Sequence, residues 1–191
     1  EDPVGTLKAL GDIGYAGVEG GAPQGMTTEE FLKVVADNGM QVIGGGASAW
    51  DLQNDIQKVV DNCGALGVSS VMMGFGSNLS TDEWKAAVAG LAEGAANAAS
   101  NGIRVLYHNH AHELEQTVGD ETCLDYLLST IPASDIGAEL DVYWVQTGGK
   151  NPGEYIRKYV GRTPFLHIKD RAPSPADEEG PFAEVGHGIL D

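Results

Sequence analysis

Cysteine is scarce in this 191-residue sequence, which contains only two such residues, Cys63 and Cys123. Their separation matches no metal-binding spacing, which argues against a thiolate metal site. Both lie in stretches with helical periodicity, so we expect reduced, half-buried thiols.

Basic residues are also few. The sequence contains eleven lysines and arginines and 28 aspartates and glutamates, which gives a formal net charge of −17. A surface of this charge repels phosphate backbones and anionic membrane leaflets, so nucleic acid is not an expected partner. The acidic residues are spread through amphipathic stretches and therefore indicate a solvated surface, not an interaction tail.

Long apolar runs are absent. No stretch approaches the roughly 20 residues that cross a bilayer. Residues 1–4 show neither the charged start nor the apolar run of a signal peptide. We expect no membrane association and a cytoplasmic location, while trimming of the N-terminus would leave a periplasmic or secreted location open.

What the sequence does contain is an alternation of short apolar runs with longer stretches of helical periodicity. Most runs are nearly continuously apolar and end in polar residues, a pattern typical of parallel strands with chemistry at their C-terminal ends. The predicted strands cover residues 15–19, 41–45, 69–75, 103–110, 136–142 and 165–170.

Helices are predicted between these runs. Thr27, Ser80 and Asn151 are the expected N-caps, and Glu83 stands three residues after Ser80, the spacing of a capping box. The predicted helices cover residues 3–11, 27–39, 51–64, 80–102, 121–130 and 151–161.

This alternation predicts a parallel α/β sheet, either open and doubly wound or closed into an eightfold barrel. No GxGxxG motif follows a strand, so nothing favours a dinucleotide fold. At this length we expect residues 1–191 to form a single domain. An eightfold barrel would need one more strand at each end, so we expect either a fragment of a longer protein or a barrel that another element completes.

The segment YHNHAHE, residues 107–113, is the first candidate site. Side chains alternate across a strand, so His108 and His110 share one face of it. With Glu113 close behind, this pair favours a functional site over two hydrogen-bonded core histidines. His112 is expected to be a loop residue.

The fifth and sixth runs end in similar clusters. AELDVYW places Glu139 and Asp141 on one face, and FLHIKDR places His167 and Lys169 on one face. Asp141 stands where a barrel strand delivers its catalytic residue. A carboxylate at the end of an apolar strand is costly unless it is paired or binds a cation. The alternative is that both carboxylates cap neighbouring loops.

Asp141 and His167 at one edge would form a mixed oxygen and nitrogen site, which suits Mn²⁺, Mg²⁺, Co²⁺ or Zn²⁺. Lys169 would hold an anionic or ketonic oxygen of the substrate, or alternatively pair with Asp170 or Glu184. Aromatic residues near the strand ends suit the apolar faces of a sugar, although such rings are more often core residues.

Taken together, YHNHAHE, ELDVYWVQTGG, NPGEYIRKYVGR, LHIKD and FAEVGHGILD resemble the sugar phosphate isomerase/epimerase family. These xylose isomerase-like TIM barrels also include inosose dehydratases, tagatose epimerases and, more remotely, endonuclease IV. GTLKALGDIGYAGVEG is similar to the family's first helix and second strand. The resemblance implies a TIM (β/α)8 barrel of xylose isomerase-like type, whose first and last strands the sequence lacks.

The resemblance also implies a divalent cation, with Mn²⁺ expected and Mg²⁺, Co²⁺ and Zn²⁺ as alternatives. By position it assigns Asp141 and His167 as metal ligands. It leaves the fifth-strand ligand open among His108, His110 and Glu113. The glutamate on the family's eighth strand lies outside this sequence. The segment GGGASAW, at the end of the family's third strand, lacks the histidine that many relatives carry at that position.

The implied chemistry is proton abstraction next to the carbonyl of a sugar or sugar phosphate, through an enediolate. Glu113 is the candidate acid/base group, with His110 and Lys169 assisting. The expected substrate-binding residues are Glu19, His108, Trp50 and Trp144.

An isomerase or epimerase is the first hypothesis, and a keto-sugar lyase or dehydratase that uses the same site is the second. A non-catalytic barrel that binds a sugar or a protein partner is the third. A DNA-repair endonuclease comes last because the charge of −17 opposes DNA binding. The expected partner is a small carbohydrate, and a homo-oligomer is compatible with the sequence.

Overall fold

The computed structural model describes residues 2–173 and 181–190. The chain divides into two compact units. The first contains the residues up to 73 together with residues 94–105, and the second contains residues 74–93 and the residues from 106 onward.

The first unit begins with three helix and strand repeats. Its elements are α1 (Pro3–Ile13), β1 (Gly17–Glu19), α2 (Thr28–Asp37), β2 (Gln41–Gly46), α3 (Ala49–Asn54), α4 (Ile56–Leu66) and β3 (Ser70–Met73). The strand order is β1-β2-β3, and both pairs are parallel. A buried apolar cluster lies between helix and strand, formed by Leu7, Phe31, Val35 and Met40.

Two chain segments pass from one unit to the other. Helix α5 (Thr81–Ser100) begins in the second unit, and β4 (Arg104–His108) begins in the first and ends in the second. The capping box predicted for α5 is present, because Ser80 Oγ accepts from Glu83 N while Glu83 Oε2 accepts from Ser80 N. The same reciprocal pair, Thr27 with Glu30, begins α2.

The second unit contains the remaining elements. They are α6 (His112–Glu115), β5 (Thr117–Val118), β6 (Glu121–Thr122), α7 (Cys123–Thr130), β7 (Ile136–Asp141), α8 (Val142–Thr147), α9 (Pro152–Lys158), β8 (Phe165–His167), β9 (Asp170–Arg171) and β10 (Phe182–Ala183). The end of β4 is followed in the sheet by β7 and then β8. Strands β7 and β8 are parallel, with Asp141 opposite His167.

The core of the second unit is aromatic at one end. Phe75, Trp84 and Tyr107 pack edge to face, with ring centroids 5.3–6.3 Å apart. All six residues of β7 are buried, as its continuous apolar run predicts. Tyr107 is fully buried, so this ring is a core residue and does not line an open mouth.

Each predicted strand is present, within a few residues of its expected bounds. The helix expected over residues 51–64 is instead two helices, because Asp55 ends α3 and caps α4 with φ −145° and ψ 59°. The short helices α6 and α8 are absent from the sequence-based prediction.

Both cysteines are free and buried. Among the described residues, no helix combines the length and apolar character that a membrane crossing requires. The single-domain expectation stays a prediction.

Candidate metal centre

The ends of β4, β7 and β8 bring together four side chains of types that bind metals, which we call the metal cluster. They are His108, Glu139, Asp141 and His167. Asn109 links two of these strand ends, because its Oδ1 accepts from the Asp141 backbone N–H at 3.0 Å and its amide donates to the Asp141 carbonyl. The third strand end, that of β8, is placed by the parallel register in which His167 lies opposite Asp141. The site therefore lies where parallel strands deliver polar side chains.

Each imidazole of this cluster lies between the two carboxylates. The two nitrogens of His108 are 3.6 Å from Glu139 Oε2 and 3.8 Å from Asp141 Oδ2. The two nitrogens of His167 are 3.4 Å from Glu139 Oε1 and 3.6 Å from Asp141 Oδ2. His108 and both carboxylates are buried, with Asp141 completely so.

The separations among His108, Glu139 and His167 fit donors around one cation, whereas Asp141 Oδ2 faces the other nitrogen of each ring. Ligand atoms at about 2.0–2.2 Å from a tetrahedral metal lie roughly 3.4 Å from one another. One donor atom each from His108, Glu139 and His167 lies within 4.8 Å of the others. Buried carboxylates also need positive charge nearby. A donor set of two imidazoles and a carboxylate suits Zn²⁺ or Mn²⁺.

Lys169, which follows β8, supplies one such charge. Its Nζ is 2.5 Å from Asp141 Oδ2. Asp141 Oδ1 accepts from Trp144 N at 3.2 Å and so caps α8. Burial opposes ionisation of Asp141, but contacts with His167 and Lys169 outweigh it and hold the pKa of Asp141 below its usual value. Asp141 therefore caps helix α8, where the alternative interpretation expected it to cap a loop, and it also contacts His167 and Lys169.

Among the described residues, Lys169 forms its ion pair with Asp141 and not with Asp170 or Glu184, the two alternative partners. The Asp170 carboxylate instead accepts from four backbone N–H groups, those of Arg171, Gly186, Gly188 and Leu190. The Lys169 ammonium lies 5.8 Å from the ring centroid of Trp144 and 5.7 Å from that of Phe182. Lys169 thus stands between two aromatic rings and the metal cluster.

Glu113 belongs to a second cluster beside the first. Its Oε1 accepts from Tyr107 Oη at 2.8 Å and lies 3.2 Å from His112 Nε2, and its Oε2 accepts from His110 N at 2.8 Å. Glu113 has no exposed surface. Burial raises the pKa of this carboxyl group, although these contacts oppose the rise.

His110 and His112 belong to this second cluster, and their rings stack at 5.9 Å between centroids. The His110 ring is 5.0 Å from that of His108, so the two clusters adjoin. Burial, followed by the neighbouring histidines, lowers the pKa of His110. His112 begins α6 and is half-buried, so the loop assignment for this residue is wrong.

The expected substrate residues are divided between the two units. His108 and Trp144 lie in the second, and the Trp144 ring is 5.4 Å from that of His110. Glu19 ends β1 and Trp50 lies near the start of α3, so both belong to the first unit. Their roles stay predictions.

Glu139 and Phe182 lie beside these residues, although neither is among the predicted site residues. Glu139 shares a strand face with Asp141, and this period-two spacing was the signal for including it. Phe182 has no local signal of this kind, because β9 and β10 bring it beside the site.

The sequence matches the family described as xylose isomerase-like TIM barrel over residues 7–191. Among curated relatives, inosose dehydratase from Clostridium botulinum is 30% identical over 92 residues, which are 48% of this chain and 30% of that protein. The chain thus matches less than a third of the length of this relative.

Solved structures share the fold at lower identity. A sugar phosphate isomerase/epimerase from Parabacteroides distasonis has a TM-score of 0.75 and 21% identity, covering 94% of this chain and 73% of that one. The IolI protein with a bound zinc atom has a TM-score of 0.73 and 16% identity, covering 100% of this chain and 77% of that one. Because the family match spans nearly the whole sequence, the protein belongs to the xylose isomerase-like TIM barrel family.

Proposed function

We propose that this protein binds a divalent cation and removes a proton next to the carbonyl of a keto-sugar or a related polyol ketone. The observation that carries the proposal is the buried cluster of His108, Glu139, Asp141 and His167, whose donor atoms alternate between imidazole and carboxylate. The zinc atom in the IolI structure supports the same class of ion. Mn²⁺ is our first expectation, with Zn²⁺, Mg²⁺ and Co²⁺ as alternatives.

The proposed metal ligands differ in part from those expected from the sequence. Asp141 and His167 are retained, and His108 fills the fifth-strand position that the sequence left open. Glu139 joins them. Glu113 and His110 contact each other and His112, so we assign His110 to acid/base chemistry and Glu113 to positioning it. A cation held by the first four residues would supply Lewis-acid polarisation of the substrate carbonyl.

The protein's own side chains supply the remaining steps in this proposal. His110, half-buried and beside His108, accepts the proton from the carbon next to the carbonyl. Glu113 has no exposed surface and fixes the His110 backbone, so it acts by positioning His110. The Lys169 ammonium faces the oxygen on which negative charge develops. Trp144 borders both His110 and Lys169 and contacts the substrate.

Two outcomes of this proton removal are proposed. Return of the proton to the neighbouring carbon or to the opposite face gives isomerisation or epimerisation, our first candidate. Loss of a β-hydroxyl group as water, with His110 returning its proton to the departing oxygen, gives dehydration, and the similarity to inosose dehydratase favours this second candidate. The substrate is a small carbohydrate in either case.

The test is incubation of the chain, loaded with Mn²⁺ or Zn²⁺, with inosose and a panel of keto-sugars in D₂O. Mass spectrometry and chromatography then follow deuterium uptake and products. Deuterium in a recovered isomer supports the first candidate, and an unsaturated product that has lost water supports the second. Asp141→Ala is the inactive control. A wild-type chain that holds metal yet exchanges no deuterium with any compound contradicts the proposal and leaves sugar binding without catalysis.

A further inference from the structure

Phe182 is a large apolar side chain that is 64% exposed beside the candidate site. Single exposed apolar residues are ordinary on protein surfaces, so exposure alone carries no meaning. Two further observations distinguish Phe182. Its ring lies 5.7 Å from the Lys169 ammonium and 5.0 Å from the buried ring of Tyr143.

The backbone around Phe182 is firmly held. In the β9–β10 hairpin Phe182 pairs with Arg171, and Ala172 N donates to Pro181 O at 2.9 Å. The Asp170 carboxylate, only 3% exposed, accepts from backbone N–H groups on both sides of the hairpin. A Cβ at Gly188 would lie 2.1 Å from Asp170 Oδ1, so this close approach depends on glycine.

The rings of Phe182 and Trp144 lie at similar distances from the same ammonium group, 5.7 and 5.8 Å. Lys169 is in turn paired with Asp141 of the metal cluster. A substrate oxygen that approaches Lys169 therefore brings the adjoining carbon skeleton against an aromatic ring. The C–H face of a sugar or cyclitol ring is apolar, and aromatic side chains that line a pocket accept such faces.

We propose that Phe182 is a specificity-determining residue that packs against the apolar face of an uncharged sugar or cyclitol ring whose oxygen contacts Lys169. This inference rests on the proposed function for the location of the site. The strand pairing holds the Phe182 backbone, and its ring already contacts buried Tyr143. Less side-chain freedom is therefore lost on binding than for an unsupported ring.

The test compares Phe182→Ala, Phe182→Tyr and the matched control Val185→Ala, which removes an equally exposed side chain from the same segment. Inosose and the full panel of keto-sugars serve as probes, whether or not the wild-type chain turns them over. Saturation-transfer NMR and calorimetry measure the dissociation constant Kd, and turnover gives kcat and KM.

Phe182→Ala is expected to raise Kd and KM roughly tenfold, the scale of one lost apolar contact, while kcat stays within about twofold. Phe182→Tyr and Val185→Ala should behave as wild type. Unchanged Kd and KM in Phe182→Ala overturn the proposal, as does a wild-type chain that binds none of the probes. Deuterium exchange is scored separately, so binding that depends on Phe182 without turnover refutes the proposed reaction and supports this contact.

Discussion

Lys169 Nζ lies 2.5 Å from Asp141 Oδ2, while Asp141 Oδ1 caps helix α8 through Trp144 N. One carboxylate thus joins a helix start, the metal cluster and the cationic side chain that we assign to the substrate oxygen. Its two oxygens have different tasks, so Asp141→Ala removes the helix cap as well as the contact with the imidazoles, whereas Asp141→Asn keeps an oxygen that can cap α8.

Asp141→Asn is expected to abolish metal binding because the oxygen facing both imidazoles becomes part of a neutral amide. His167→Ala should do the same by removing a nitrogen donor. Equilibrium dialysis against Zn²⁺ with elemental analysis measures the bound equivalents. His187→Ala, which changes an exposed histidine outside the cluster, is the control and should bind as wild type. Full metal occupancy in both site variants would show that these residues are not the ligands.

Lys169→Met is expected to lower kcat by roughly 10²–10³-fold, the usual cost of losing one group that stabilises developing charge. Bound metal should be retained because Lys169 is not a ligand in the proposed centre. The exposed Lys150 offers a control, and Lys150→Met should leave kcat unchanged. A Lys169→Met variant with wild-type turnover would remove Lys169 from the chemistry.

Tyr107→Phe is expected to destabilise the fold by about 1–3 kcal/mol, the range for leaving buried polar groups without a partner. The lost hydroxyl group accepts from Phe75 N at 3.1 Å and donates to the fully buried Glu113. Urea unfolding measures the change in free energy. Tyr15→Phe alters an exposed ring and should have no effect. Equal stability of the two variants would mean that this chain of hydrogen bonds contributes nothing.

Asp170→Asn tests a pH dependence. Hydrogen bonds to the Asp170 carboxylate, first from Arg171 N and then from Gly188 N and its neighbours, lower its pKa to about 2 from the usual 3.8. A lowered pKa in the folded state means that the ionised carboxylate stabilises the fold above pH 4. This stabilisation is lost as the pH falls from about 4 to 2.

Wild type should therefore be more stable than Asp170→Asn at pH 7, and the difference should shrink below pH 4. Urea unfolding at pH 7, 4 and 2.5 gives the three differences in free energy. Asp12→Asn is a suitable control, because Asp12 lies on the exposed face of α1 in an ion pair with Lys8. A difference that does not vary with pH would contradict the role of the carboxylate charge.

Much of the fold follows from local patterns. The six strands, the capping boxes of α2 and α5 and the parallel arrangement all have signals within a few residues of sequence. The break at Asp55 has no such signal, because residues 51–64 read as one helix and an extended φ at a single position divides it. Helix α8 likewise has no separate start signal, because the last residue of β7, Asp141, is also the N-cap of the helix.

By itself, the sequence determined which residue types stand at the strand ends, because apolar runs must finish in polar residues where parallel strands leave the sheet. It could not choose among His108, His110 and Glu113, which lie within six positions and carry similar chemistry. The tertiary structure decided their placement. Strand register puts His108 against Glu139 and His167, whereas the turn into α6 directs Glu113 to buried Tyr107. Distances between strands about 30 residues apart come from packing, which no local pattern encodes.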